Sequence, residues 1–174
     1  MSRLERTVRT GPKLRLSADT VLADALLSEL VAPGPVLWLV SAWISNVEVL
    51  DNTLGEFSAV LGDEQIGRYR LADVLARIVR IGGRVRVVTR PTPHNQLFVD
   101  QVRTLVSTDA DLAVIFDSVE HEKTMCGRDW MISGSMNFTA SGIGTNEEAI
   151  RYVVDVAEVA QARLDFKARW GEDR

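Results

Sequence analysis

The chain has 174 residues, 46% hydrophobic and 25% charged, a composition that fits one soluble globular domain with room for a real core. No stretch is long and apolar enough to span a bilayer, and Met1-Ser2-Arg3-Leu4-Glu5 does not open like a signal peptide. Both features point away from the membrane and toward the cytoplasm. Twenty bases against 24 acids leave a net charge of −4, which argues mildly against a polyanion partner, and the single Cys126 excludes an internal disulfide and fits a reducing compartment.

Residues 1–16 carry five bases and one acid, broken by Gly11-Pro12. They read as an N-terminal arm or short edge strand ahead of a single domain, 17–174. Ser17 is the expected N-cap of a helix over 18–31, with Leu22, Ala25, Leu26 and Leu30 on one face and Pro33-Gly34-Pro35 ending it. Val36 to Ala42 is a continuous apolar run, the mark of a strand covered on both sides. Small and polar residues follow in Ser41-Ala42-Trp43-Ile44-Ser45-Asn46, at the strand end where ligands collect in open α/β sheets. Ser41 and Trp43 are therefore candidate substrate contacts.

Residues 47–63 look irregular, with Gly55 and Gly62 as breakers, and suit a site border or a partner surface. Asp63-Glu64 is expected to open a helix to about Arg80, with Leu71, Val74, Leu75, Ile78 and Val79 as its buried stripe. Arg70, Arg77 and Arg80 share the other face with Asp73, either as a solvated face with a local ion pair or as a nucleic-acid contact. Gly82-Gly83 stops the helix, and Val85 to Val88 is the next strand, parallel to the first. Arg90-Pro91-Thr92-Pro93-His94-Asn95 is stiffened by its two prolines. Arg90 and His94 on that loop could meet a phosphate or a leaving group, though His94 could equally just open a helix to about Val106. Between Gln65 and Ser107 stand eight arginines and only Asp73 and Asp100, a local balance of +6. Leu112 to Phe116 is another buried strand.

The stretch His121 to Glu148 holds the chemistry. A strand here would bring His121 and Lys123, two apart, to one face. Gly127-Arg128-Asp129 reads as a tight turn and Trp130 to Ser133 as the returning strand of a hairpin. Gly134-Ser135-Met136-Asn137 then offers a hydroxyl and a carboxamide, again two apart, and Asn146-Glu147-Glu148 closes the stretch. An imidazole, an ammonium, a hydroxyl and an amide converging on one spot suit a phosphate: the imidazole can attack phosphorus while the others hold its oxygens. Cys126, on the same hairpin, reads as core packing. Gly142-Ile143-Gly144 is a turn and not a phosphate fingerprint, since no strand–loop–helix surrounds it. Ala149 to Val154 is expected to complete the sheet, and a helix over about 155–170 to pack Val159, Ala162, Phe166 and Trp170 inward.

Taken together, the elements give an α/β chain with a mixed, largely parallel sheet flanked by helices on both faces. His121, Lys123, Gly134, Ser135, Asn137, Asn146 and Glu148 resemble the signature of the phospholipase D superfamily: His-x-Lys, an aspartate, Gly-Ser-x-Asn, and later Asn-x-Glu. The aspartate departs from the pattern. Arg128 stands at its place, Asp129 comes one residue late, and the run to Gly134 is one residue short. The segments SAWISN, HEKTMCGRDWMISGSMNFT and DFKARWG also resemble the phospholipase D-like component of bacterial clusters that put 7-deazaguanine bases into DNA or restrict DNA lacking them.

The resemblance implies an α/β/α sandwich with one motif per chain and a metal-independent phosphodiesterase. His121 would be the nucleophile, Lys123, Ser135 and Asn137 would hold phosphoryl oxygens, and Glu148 would accept a proton from a ring nitrogen of a His121. Asn146 joins the candidate substrate contacts. No cofactor or metal set is evident: His-x-x-x-His, Cys-x-x-Cys and a compact carboxylate cluster are all missing. The leaving oxygen still needs a proton, and a two-fold axis through the site would bring a second His121, so a homodimer is expected. DNA is the expected substrate, with partner proteins from a modification or restriction system. A phospholipid hydrolase or transferase, or a non-catalytic nucleic-acid-binding subunit, are the alternatives.

Overall fold

The structure, a computed structural model, describes residues 3–11, 18–61, 66–107 and 111–171. A seven-stranded sheet forms its middle layer. In chain order its strands are β1 (Leu4–Arg9), β2 (Leu37–Ser41), β5 (Val85–Thr89), β6 (Leu112–Phe116), β7 (Lys123–Cys126), β8 (Trp130–Gly134) and β9 (Ala149–Val154). Across the sheet they run β1-β9-β8-β7-β2-β5-β6, and β3 (Glu48–Asp51) with β4 (Arg68–Arg70) makes a separate antiparallel ribbon. The sheet is mixed. It is less parallel than expected: only the β2–β5 and β5–β6 pairs are parallel, while β7, β8, β9 and β1 join antiparallel, β7 and β8 through a tight hairpin and β8 and β9 through a connection that holds the short α5 (Ala140–Gly144).

β2 is buried along its whole length because it lies between β5 and β7 with helices on both faces. Its alternate residues feed two cores. Leu37 and Leu39 join Val85, Val87, Met125, Trp130 and Ile132 beneath α1 (Asp19–Val31), α3 (Leu71–Arg80) and α4 (Pro93–Leu105). Trp38 and Val40 join Cys126, Met131 and, from α6 (Val156–Trp170), Val159, Phe166 and Trp170 on the other face. Trp38 lies 5.7 Å from Phe166 and 6.3 Å from Trp170, ring centre to ring centre. Burial pushes the Cys126 thiol up to about 12, as a cysteine used for packing should show.

Of the two readings of residues 1–16, the short edge strand is the one found: β1 pairs with β9 at the edge of the sheet. Ser17 lies outside the described residues; α1 begins after Ala18, which makes no side-chain cap. Residues 47–63 are less irregular than expected, since they hold β3 and the short α2 (Ser58–Leu61), with Asn52 accepting from Phe57 N at 2.7 Å. The helix expected from Asp63 starts only at Leu71. Its opening N–H groups are taken by the Val47 carbonyl (2.8 Å) and by Asn46 Oδ1, which accepts from Ala72 N at 2.9 Å, while Arg68–Arg70 is held in β4. Asp63 and Glu64 lie outside the described residues.

Candidate active site

The candidate residues collect along the sheet rim formed by the C-terminal ends of β2 and β5, the start of β7 and the end of β8. Ser41 pairs with Lys123 across β2 and β7, and Thr124 pairs with Ser133 across β7 and β8. Lys123 and the Gly134-Ser135 step are thus near neighbours on adjacent strands. His121 is not in a strand, contrary to expectation. β7 begins at Lys123 because its ladder partner β2 ends at Ser41, so the chain before Lys123 has no strand to pair with.

His121 is exposed, and its ring makes no hydrogen bond among the described residues. Lys123, half-buried, donates from Nζ to the His121 carbonyl at 2.5 Å. The backbone around the histidine is well tied. Arg90 Nε donates to the Glu120 carbonyl (2.7 Å), and the fully buried Glu120 carboxylate accepts from Glu122 N through Oε1. The other oxygen, Oε2, makes no hydrogen bond among the described residues and lies 3.4 Å from the Arg169 guanidinium. Just upstream, Trp170 Nε1 (3.1 Å), Val119 N (3.1 Å) and the Arg169 guanidinium hold Asp117 ionised, and its carboxyl falls below the usual range, the indole hydrogen bond first among the causes. An exposed imidazole on a fixed backbone results.

The Gly-Ser-x-Asn segment is shaped by close packing. Gly134 has φ of 145°, and a side chain there would come within 2.2 Å of the Ala149 carbonyl, so only glycine lets β8 approach β9 at this point. Met136 and Phe138 are buried, which leaves Ser135 and Asn137 between them on the accessible side. Ser135 Oγ donates to Glu148 Oε2 and accepts from Ala149 N at 3.1 Å. Asn146 Nδ2 donates to Glu148 Oε1 at 3.3 Å. Within one chain the Glu148 carboxylate is thus held by Ser135 and Asn146, and it makes no hydrogen bond with the His121 ring. Ser41 Oγ shares its one proton between the Trp43 carbonyl (3.0 Å) and Asn137 Oδ1 (3.4 Å).

The remaining candidates lie beside this row. Ser45 N donates to the Phe138 carbonyl at 2.8 Å, and Ser45 Oγ lies 3.0 Å from His94 Nε2. The exposed His94 ring meets Trp43 edge-on, 5.8 Å between centres at 73°. Among the described residues no three His, Cys, Asp or Glu side chains gather as a metal site.

Three organising residues escape a reading of the sequence: Glu120 and Asn95 at this site, and Glu29 at the far hairpin turn. Asn95, fully buried on α4, accepts from Ile44 N (3.0 Å) and donates to the Ala42 (2.8 Å) and Arg90 (2.9 Å) carbonyls, tying two rim loops with one carboxamide. Glu29, buried on α1, accepts from Arg128 N (2.9 Å), Trp130 Nε1 (3.1 Å) and Gly34 N (2.6 Å). It braces the hairpin turn where the resemblance expects an aspartate and the chain has Arg128. Arg163 Nη1 completes the brace by donating to the Gly127 (2.5 Å) and Arg128 (2.7 Å) carbonyls. That turn lies at the other end of β7 and β8 from His121.

A family model described as cardiolipin synthase, phospholipase D-like domain, matches residues 62–170. No curated protein matches the sequence. Among solved structures the chain is similar to Nuc from Salmonella typhimurium, a phospholipase D family member, at 14% identity and a TM-score of 0.65, covering 99% of this chain and 97% of that one. It is similar also to NucT from Helicobacter pylori, at 10% identity and TM-score 0.63 over 96% and 95% of the two chains. A polyphosphate kinase from Porphyromonas gingivalis shares the fold over 24% of its length, at 11% identity and TM-score 0.64, covering 98% of this chain.

Proposed function

The chain belongs to the phospholipase D superfamily, and from that membership and the rim chemistry we propose that it is a metal-independent phosphodiesterase acting on DNA. The observation that supports this best is an exposed imidazole, His121, whose ring makes no hydrogen bond among the described residues and which lies beside Lys123, a strand away from Ser135 and Asn137.

His121 attacks phosphorus in its neutral form, so the N–P bond forms as the bond to the leaving oxygen breaks. Lys123, Ser135 and Asn137 take the charge that grows on the phosphoryl oxygens, the ammonium by Coulomb attraction, Asn137 through its amide N–H, and Ser135 by turning its one O–H from Glu148 to the substrate. The leaving oxygen takes its proton from a second imidazole, His121 of a partner subunit, because His94 is engaged with Ser45 and Trp43. That imidazole then accepts a proton from the water that hydrolyses the phosphohistidine, and both rings return to their starting states. Two imidazoles in one pocket disfavour double protonation, which keeps one neutral and the other charged. Glu148, still held by Asn146 once Ser135 has turned to the substrate, orients the ring that comes to it. Arg90 and Ser41 support the site through the Glu120 carbonyl and Asn137.

We place the activity in DNA modification, restriction or phage defence, in the cytoplasm, on the sequence resemblance to the 7-deazaguanine clusters. The description of the matching family favours a second reading, a phospholipid hydrolase or transferase. One experiment tests both. Purified protein and His121→Ala are assayed on single-stranded DNA, duplex DNA and phosphatidylcholine vesicles, each with and without EDTA. Cleavage of DNA that is lost in His121→Ala and indifferent to EDTA is expected. Cleavage of lipid alone would replace the nuclease reading with the second one, and salt-sensitive DNA binding without cleavage would make the protein a binding subunit.

A further inference from the structure

Of the four tryptophans, Trp38, Trp130 and Trp170 are at most 9% exposed, whereas Trp43 is 39% exposed. Its backbone is nonetheless held on both sides. The Asn95 carboxamide bonds the residue before it through the Ala42 carbonyl and the residue after it through Ile44 N, and Ser41 Oγ donates to the carbonyl of Trp43 itself. The indole is braced edge-on by the His94 ring, which Ser45 fixes in turn. The position also matters. Trp43 stands two residues beyond Ser41, and His121 two residues before Lys123, where Ser41 and Lys123 form the last cross-strand pair of β2 and β7. A large ring on a well-tied backbone, part exposed at the same end of the sheet as Lys123, leaves apolar surface that the fold does not cover.

We propose that Trp43, braced by His94, is a stacking shelf for a nucleobase next to the phosphate at His121, so that the substrate is an unpaired nucleic-acid strand. This rests on the phosphodiesterase reading and narrows it. Every base has a flat π-face but only an unpaired one can turn it outward, so a shelf of this kind takes any sequence and discriminates against a duplex. Holding the indole rigid removes the ordering cost that a mobile side chain would carry on binding.

The test is a titration of His121→Ala protein, which binds without turnover, with a short single-stranded oligodeoxynucleotide, the same length of duplex, and an abasic sugar-phosphate oligomer. Trp43 is the one tryptophan placed to meet a base, so the single strand is expected to quench tryptophan fluorescence, and the duplex and abasic oligomers are not. Adding Trp43→Ala should weaken single-strand binding about tenfold, the lower part of what base–aromatic stacking contributes, and leave abasic binding unchanged. Trp43→Phe should restore most of the affinity. Equal affinity for base-bearing and abasic strands overturns the shelf, as does a Trp43→Ala protein that loses binding together with its dimer, which would put the indole at the subunit seam. His121-dependent hydrolysis of bis(4-nitrophenyl) phosphate keeps the two claims apart. Hydrolysis without base-dependent binding sinks the shelf alone; base-dependent quenching without hydrolysis keeps the shelf and sinks the phosphodiesterase.

Discussion

Glu29 carries a structural role from outside the motif. It recurs with Leu22, Ala25, Leu26 and Leu30 on the buried stripe of α1, and a carboxylate on such a stripe is the only sign of its role in the sequence. Its oxygens receive three N–H groups, so Glu29→Ala leaves the buried Trp130 indole and two part-buried backbone donors without that acceptor. We expect a loss of about 3 kcal/mol or more in urea unfolding, with a milder loss in Glu29→Gln, which keeps one acceptor oxygen. Cys126 gives a pH signature on the same hairpin. The unfolded thiol ionises near 9.0 while the folded one holds its proton to about 12. Above pH 9 the unfolded state therefore binds fewer protons, and stability falls as pH rises through that window. Cys126→Ala should flatten that slope in unfolding curves between about pH 9 and 11, and native protein should resist thiol reagents at pH 8 until it is denatured.

At the scale of elements, long periodic segments were legible and short ones were not. The helices α1, α4 and α6 and the strands β2, β5, β6, β8 and β9 fall where apolar periodicity puts them, though β6, expected to be buried, is a half-buried edge strand. β3, β4 and the true start of α3 did not, because they are decided by contacts distant in sequence, from Asn46 and Val47 to the residues at 71 and 72. His121 illustrates the same limit within the site. Residue types and spacing announced the motif, but where β7 begins is decided by the end of β2, which no local pattern carries. Two residues tied to helix starts separate stability from site geometry. Asp155 caps α6 by accepting from Ala157 N (2.9 Å) and Glu158 N (3.0 Å), at the sheet end away from His121. Asp155→Ala should cost about 1 kcal/mol and leave the rate unchanged. Asn95→Ala removes the tie between the Ala42–Ile44 and Arg90 loops. It should cost roughly 2 kcal/mol or more and lower the rate ten- to a hundredfold, since loosened positioning is amplified in the chemical step. Equal rates in the two variants would show that the rim does not depend on that tie.

For the whole molecule, the charge pattern takes on another meaning once the arginines are located. Of the eight between Gln65 and Ser107, six are engaged in holding the fold. Arg68 pairs with Glu48 and Asp51, and Arg84 and Arg86 with Asp111. Arg77, Arg80 and Arg90 donate to the Val60, Leu105 and Glu120 carbonyls. Three of these arginines thus face carboxylates, which lowers the positive charge that the sequence count gives, while Arg77, Arg80 and Arg90 bond neutral carbonyls and keep theirs. The rim itself offers one His-x-Lys histidine per chain, and that incompleteness generates the prediction with the widest reach. If two subunits share one site, each must supply its own His121, and a mixed dimer with one His121→Ala subunit lacks either nucleophile or proton donor. In a fully exchanged equal mixture about half of the wild-type subunits are paired with the variant, so activity per wild-type subunit should fall to about one half. Independent sites would keep it whole at every mixing ratio. Refolding the two proteins together from urea ensures exchange, and measuring the rate against the fraction of variant distinguishes a curve that falls with the square of the wild-type fraction from a straight line. A straight line would make each chain complete on its own and would require the leaving group's proton to come from within it, with His94 the histidine to examine next.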